Sequence, residues 1–153
     1  MRSMTPSHRR GFTLIELMIA VVVAGILAAV AYPSLMSFIQ RGRRADAIAA
    51  LTTVVQAQER FRSNSNSYAT SLGDEGLKLD GTLAKMSKYY DFTLTSAAFA
   101  TGYQITARPK SSSAQAKDVK NCASLSVKLD GGKFEYLATN ASNADSSSTC
   151  WPR

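Results

Sequence analysis

Between Leu17 and Ile39 the chain runs for 23 residues without a charge, and a glutamate, Glu16, stands at the head of that run. As a helix the run would measure roughly 35 Å, slightly more than the ~30 Å hydrocarbon core of a bilayer. No packed head of ordinary size needs such a segment, so it predicts a membrane-spanning or assembly-core helix. A carboxylate in that setting costs about 2.5–3.5 kcal/mol or more and therefore calls for a partner. The fitting partner is an amine.

The segment before it, Met1 to Gly11, carries Arg2, Arg9 and Arg10 and no acid. Bases ahead of an apolar stretch keep that end cytoplasmic and send the remainder outward. One reading is an ordinary secretory signal, with Ala29-Val30-Ala31 as its small-residue cleavage site. The charge at Glu16, the length of the run and the helical pattern beyond it speak against that reading. The stretch Arg10-Gly11-Phe12-Thr13-Leu14-Ile15-Glu16, followed by apolar residues with Gly25 and Pro33 inside, resembles type IV prepilins. The resemblance implies that prepilin peptidase cuts between Gly11 and Phe12 and that the new Phe12 amine is N-methylated. It also implies that this amine pairs with Glu16 of a neighbouring subunit, which makes Glu16 an assembly residue. Pseudopilins of type II secretion share the motif.

The length of 153 residues fits one domain plus an anchor. The formal charge of +7 overstates the basicity of the exported part, because three of the 18 bases lie in the leader while all 11 acids follow it. His8, the one histidine, is also in the leader, so the exported chain lacks the commonest general base and metal ligand. No phosphate-binding glycine loop, nucleophile set or metal-ligand spacing is present, and Asp74, Glu75 and Asp80 do not match a calcium loop. An enzyme is not expected, nor a cofactor or metal. Cys122 and Cys150 both fall in the translocated part, where disulfides persist. A bridge between them would stabilise the fold by roughly 3–4 kcal/mol through loop closure.

Helical signals continue past the apolar run. Ala47, Leu51, Val54 and Phe61 recur at helical spacing, Ile48 and Val55 widen the stripe, and Gln58 is its one polar gap. Arg41, Arg43, Arg44, Asp46, Glu59, Arg60 and Arg62 are expected on the opposite face, with Arg41 to Arg44 marking the membrane exit. One helix from Phe12 to Arg62 would measure on the order of 75 Å, with Pro33 kinking it and Gly25 weakening it. Ser63 to Ser67 ends the helix, and an irregular connection follows to about residue 88. Alternating patterns predict strands over Tyr89–Thr95, Gly102–Arg108, Leu125–Leu129 and Lys133–Leu137, the last two joined by a hairpin at Asp130-Gly131-Gly132. Tyr89, Tyr90, Phe92 and Tyr103 read as core or strand-pair residues rather than a base-stacking platform. Residues 139–149 would be mobile unless tied down by Cys150, with Trp151 packing locally.

These elements make an α+β chain: a long N-terminal helix packed on a four-stranded antiparallel sheet, the pilin fold that the resemblance implies. The expected divisions are a cleaved leader at 1–11, a transmembrane and filament-core half-helix at 12–39, and an amphipathic half at 40–62. An αβ-loop at 63–88 and a sheet head at 89–153 follow, the head ending in a disulfide-bounded region. The cysteine spacing and the Cys150-Trp151 ending resemble minor pilins, including DNA-uptake receptor pilins. The implied function is a structural subunit of a type IV pilus serving adhesion, twitching motility or DNA uptake. Its implied partners are other pilin subunits, prepilin peptidase, the assembly platform and the inner membrane. The subunit would be stored in that membrane with its head on the periplasmic side and then enter the extracellular pilus. Loosening near Gly25 and Pro33 would let the core helices pack. Lys110, Lys117 and Lys120, among serines and alanines, are the candidate DNA contacts, against the alternatives of a solvated loop or a pseudopilin role. The loop Ser96–Thr101 has no base, which limits any wider patch.

The mature protein is expected to begin with N-methylated Phe12 by N-terminal mass spectrometry, and a start at Tyr32 would make it a secreted domain instead. Glu16→Lys should leave that processing intact yet keep the subunit out of purified filaments.

Overall fold

The computed structural model describes residues 11–152; residues 1–10, which hold Arg2, Arg9, Arg10 and nearly all of the expected leader, and Arg153 lie outside the described residues. The chain divides into two compact units that meet between Phe38 and Ile39. One helix, α1 (Leu14–Arg62), contributes to both.

In the first unit α1 begins at a cap. The Glu16 backbone N–H donates to Thr13 Oγ1 at 3.3 Å, so Thr13 and Glu16 occupy the N-cap and third helical positions of a capping-box pattern. A carboxylate in the first turn is also favoured by the helix dipole. The apolar side chains here pack on nothing: Phe12 is 84% exposed and Phe38 74%. This part of α1 is long and apolar enough to cross a membrane. The helix continues through Pro33 without a break in assignment.

In the second unit the remainder of α1 buries one stripe: Ala47, Ala50, Leu51, Val54, Ala57 and Gln58. The sheet is antiparallel in the order β1 (Tyr90–Thr95), β2 (Gly102–Pro109), β3 (Ser124–Asp130), β4 (Lys133–Thr139). Tyr103, Ile105 and Ala107 of β2 join Leu125, Val127 and Leu129 of β3 and Ala138 of β4 in a single core with the helix stripe. The register pairs Ile105 with Val127 and Val127 with Tyr136. Gly131 and Gly132 turn the β3–β4 hairpin with φ of 54° and 84°, the positive pair that a type I′ turn requires. At Gly102 an added Cβ would run into the Leu129 carbonyl oxygen of the neighbouring strand, so this position demands glycine.

The connection from 63 to 89 is less irregular than its sequence suggests. Residues Asp80–Met86 form a short helix, α2, because Leu79, Leu83 and Met86 fall on one side and Leu83 is buried. Gln58, the polar gap in the stripe, has a structural purpose. Its amide donates to the Ala69 carbonyl at 3.0 Å and accepts the Ala69 N–H at 2.8 Å, tying the loop to α1.

The polar tail is likewise held by more than its bridge. Thr139 pairs with Asp145, Ser147 Oγ accepts the Ala138 N–H at 2.8 Å, and the Trp151 indole donates to the Leu137 carbonyl at 3.0 Å. A helical turn, α3 (Ser147–Cys150), brings Cys150 into a disulfide with Cys122.

One expectation is overturned within α1. Arg44 does not lie on the solvated face opposite the stripe; its side chain is 12% exposed and paired with an aspartate. The helical stripe, extended back from Ala47 by three residues, lands on Arg44. Arg43 also turns to the head, lying over the Tyr89 ring, which precedes β1 instead of opening it.

Gln58→Leu should destabilise the head by about 2 kcal/mol or more, because it strands both backbone groups of Ala69 without partners in the interior. Urea denaturation reads this directly, and a midpoint equal to wild type would make the amide pairing dispensable.

Candidate functional site

The candidate lysines lie on the linker between β2 and β3. Pro109 ends β2, and Ala114–Lys120 winds into a 3-10 helix. With three residues per turn, positions three apart stack on one ridge. Gln115 and Asp118 form one ridge and are buried; Lys117 and Lys120 form another and are exposed. The tight pitch thus sorts an acid and two bases, close in sequence, onto opposite sides.

The buried ridge is fastened by a polar network. Arg44 Nε sits 3.0 Å from Asp118 Oδ2, whose side chain is fully buried. Arg44 Nη1 also reaches Cys122 Sγ at 3.0 Å and the Thr149 carbonyl at 3.5 Å, so one guanidinium touches the linker, the disulfide and the tail. Gln115 Nε2 donates to Asp118 Oδ2 at 2.9 Å and to the Tyr90 hydroxyl at 3.0 Å, with the Gln40 carbonyl at 3.4 Å. Asp118 Oδ1 and Gln115 Oε1 have no partner among the described residues.

Burial pushes the Asp118 carboxyl above its ordinary value, opposed by the Arg44 charge and the Gln115 hydrogen bond. The Tyr90 hydroxyl is pushed up to about 12, by burial first and then by the Asp118 charge. Tyr103 is also raised, chiefly by burial and then by Glu59.

The structure brings only part of the expected lysine set together. Lys117 and Lys120 share their ridge and make no ion pair or side-chain hydrogen bond among the described residues. Lys110 is different: it is half-buried, its backbone N–H donates to the Tyr89 carbonyl at 2.9 Å, and its amine lies 3.7 Å from Asp91. Lys128 and Lys133 are engaged by Asp130 and Glu135 at 2.9 and 3.0 Å. A cleft of about 400 Å³ beside the Ser96–Thr101 loop contains Lys128 as its base, already paired. The Arg44–Asp118–Gln115–Tyr90 network was not anticipated from sequence. Its available signals were an acid set between two lysines and an arginine falling on the apolar stripe. At the other end of the chain, Gly11 and Phe12 are exposed and precede the Thr13 cap, with Glu16 exposed one turn on. Gly25 and Pro33 both lie inside α1.

A family model described as "Type IV minor pilin ComP, DNA uptake sequence receptor" matches residues 33–126. A second, for the prokaryotic N-terminal methylation motif, matches residues 6–32. Among curated relatives, the type IV major pilin protein PilA of Myxococcus xanthus is 42% identical over 69 residues, covering 45% of this chain and 31% of that protein. The type II secretion system core protein G of Pectobacterium carotovorum is 31% identical over 71 residues, 46% of this chain and 44% of that one. The type IV major fimbrial protein FimA of Dichelobacter nodosus is 33% identical over 106 residues, 65% and 66% of the two chains. The chain spans about a third to a half of the length of the first two of these relatives. No solved structure matches.

Arg44→Met leaves Asp118 buried without its counter-charge and should cost about 3–5 kcal/mol at neutral pH. The folded state holds the Asp118 proton more tightly than the unfolded chain does. That contribution is full below the ordinary value of 3.8 and is lost as pH rises through the raised folded value. Wild type should therefore lose stability relative to Asp118→Asn across that window, and Arg44→Met should stretch the window upward. Parallel melting profiles against pH for wild type and Asp118→Asn would refute the assignment.

Proposed function

The chain belongs to the type IV minor pilin family described as ComP, DNA uptake sequence receptor, and from that premise we propose that it is a filament subunit that also captures DNA. The observation that carries the reading is the family match over residues 33–126, which includes the 3-10 helix bearing Lys117 and Lys120.

The subunit is made as a prepilin, and prepilin peptidase cuts between Gly11 and Phe12. Phe12 is methylated, and its amine satisfies Glu16 of a neighbouring subunit as residues 12–39 enter the filament core. Gly25 and Pro33 supply the loosening that close helix packing needs. Residues 40–62 form the amphipathic half of the helix, 63–88 the αβ-loop and 89–153 the head. The inner membrane holds the subunit until the assembly platform extracts it, with the head on the periplasmic side. The work is structural, and the exported residues supply no histidine for chemistry.

DNA is held by its phosphates. Lys117 and Lys120 stand one 3-10 turn apart, and each phosphate they neutralise releases condensed counterions. Lys110 contributes less, since Asp91 competes for its amine. The relatives named as type II secretion core protein G favour a second reading, a pseudopilin, which shares the filament segment but has no call for DNA affinity.

In an electrophoretic shift with the mature chain in detergent micelles, Lys117→Ala with Lys120→Ala should lower the salt dependence of log affinity by about 1 per lysine. Lys110→Ala should do less. A wild-type chain that leaves duplex DNA unshifted at low salt would discard the receptor role and leave the structural one.

A further inference from the structure

A second cationic site lies around Tyr89, where Arg43 of α1 meets the residues that lead into β1. The Arg43 guanidinium stacks 4.1 Å from the centroid of the Tyr89 ring, and the Lys88 amine lies 5.3 Å from the same centroid. Two cations on one ring repel each other, and the ring's quadrupole offsets only part of that repulsion. Neither Arg43 nor Lys88 makes an ion pair among the described residues, and Arg43 Nη1 is buried with no hydrogen-bond partner. Lys110 is held beside them by its N–H bond to the Tyr89 carbonyl. Its counter-ion, Asp91, is 3.7 Å away and 71% exposed, so Lys110 shares its amine with that acid and is the lesser member of the group. Asp46, three residues beyond Arg43 in α1, is exposed, and Asp118 is taken by Arg44.

From these contacts we propose that Arg43, Lys88, Tyr89 and Lys110 form a seat for the phosphate headgroups of an anionic membrane, which holds the head against the bilayer before assembly. The inference rests on the reading of residues 17–39 as a membrane-seated segment. Arg43 follows Ile39 by four residues, or about 6 Å of helical rise, which is within a Debye length of the apolar boundary. The Tyr89 ring touches Arg43, and the Lys88 amine lies over the same ring. Basic groups next to a membrane helix are drawn to anionic lipid, and a tyrosine ring suits the headgroup level. The site therefore differs in purpose from the Lys117–Lys120 ridge. Covalent attachment brings it to the bilayer in every subunit, whereas DNA has to be captured from solution.

The test uses the full mature chain in vesicles of phosphatidylcholine alone or mixed with phosphatidylglycerol. Lysines are acetylated briefly and read by peptide mass spectrometry. Labelling of Lys88 and Lys110 should fall about fivefold in the anionic vesicles, the factor one basic group gains at such a surface. Lys78 and Lys133 should be unaffected, high salt should restore labelling, and Lys88→Gln should deprotect Lys110. Equal labelling of Lys88 and Lys110 in both vesicles overturns the seat. So does protection that appears only when duplex DNA is added, which would assign these residues to nucleic acid. Flotation separates the two failures. A chain that floats with neither vesicle overturns the membrane reading itself, whereas a floating chain with unprotected lysines overturns the lipid seat alone.

Discussion

The head turns on one buried ion pair. Arg44 is the point where α1, the β2–β3 linker, the disulfide and the C-terminal tail meet, because its guanidinium faces Asp118, Cys122 and Thr149 together. Taking both charges from water is expensive, and Gln115 offsets part of that cost with a hydrogen bond to the same carboxylate. A segment with serines before it and lysines on it has little apolar area with which to hold itself down. The ion pair supplies that hold and leaves the lysine ridge facing water.

Arg44 and Glu16 make an instructive contrast. Each is a charge set in or beside an apolar stripe, and each is costly without a partner. Arg44 finds its partner within the chain, so the head is complete by itself. Glu16 has a local capping position, yet its side chain sits among residues that pack on nothing in the monomer. The proposed partner lies on another subunit. The contrast is between a charge paired within the fold and one whose proposed partner lies outside it.

Much of the fold was legible from periodicity alone. The four strands, the glycine hairpin and the helix stripe follow from alternation, turn chemistry and 3.6-residue spacing, which are local properties. The short helix α2 and the ordered tail were not legible. Each depends on contacts made across the fold: Leu83 entering the core, and Ser147 and Trp151 bonding to β4. Arg44 was misread for a related reason. A basic cluster after an apolar run looks wholly solvated until the position of Asp118 is known, and the two residues are far apart in the chain.

By itself the sequence determined what the first forty residues can be, since an uncharged run of that length with one glutamate at its head leaves few physical options. It also determined the fold class and that no histidine follows His8. Only the tertiary structure decided which bases are available. Spacing shows that lysines are near one another in the chain, but whether an amine is free depends on which carboxylates the fold brings beside it. Asp91 reaches Lys110, Asp130 and Glu135 engage Lys128 and Lys133, and the 3-10 pitch turns Asp118 inward and away from Lys117 and Lys120. Charge pairing is set by distances of a few ångströms, and those distances exist only once the chain has folded.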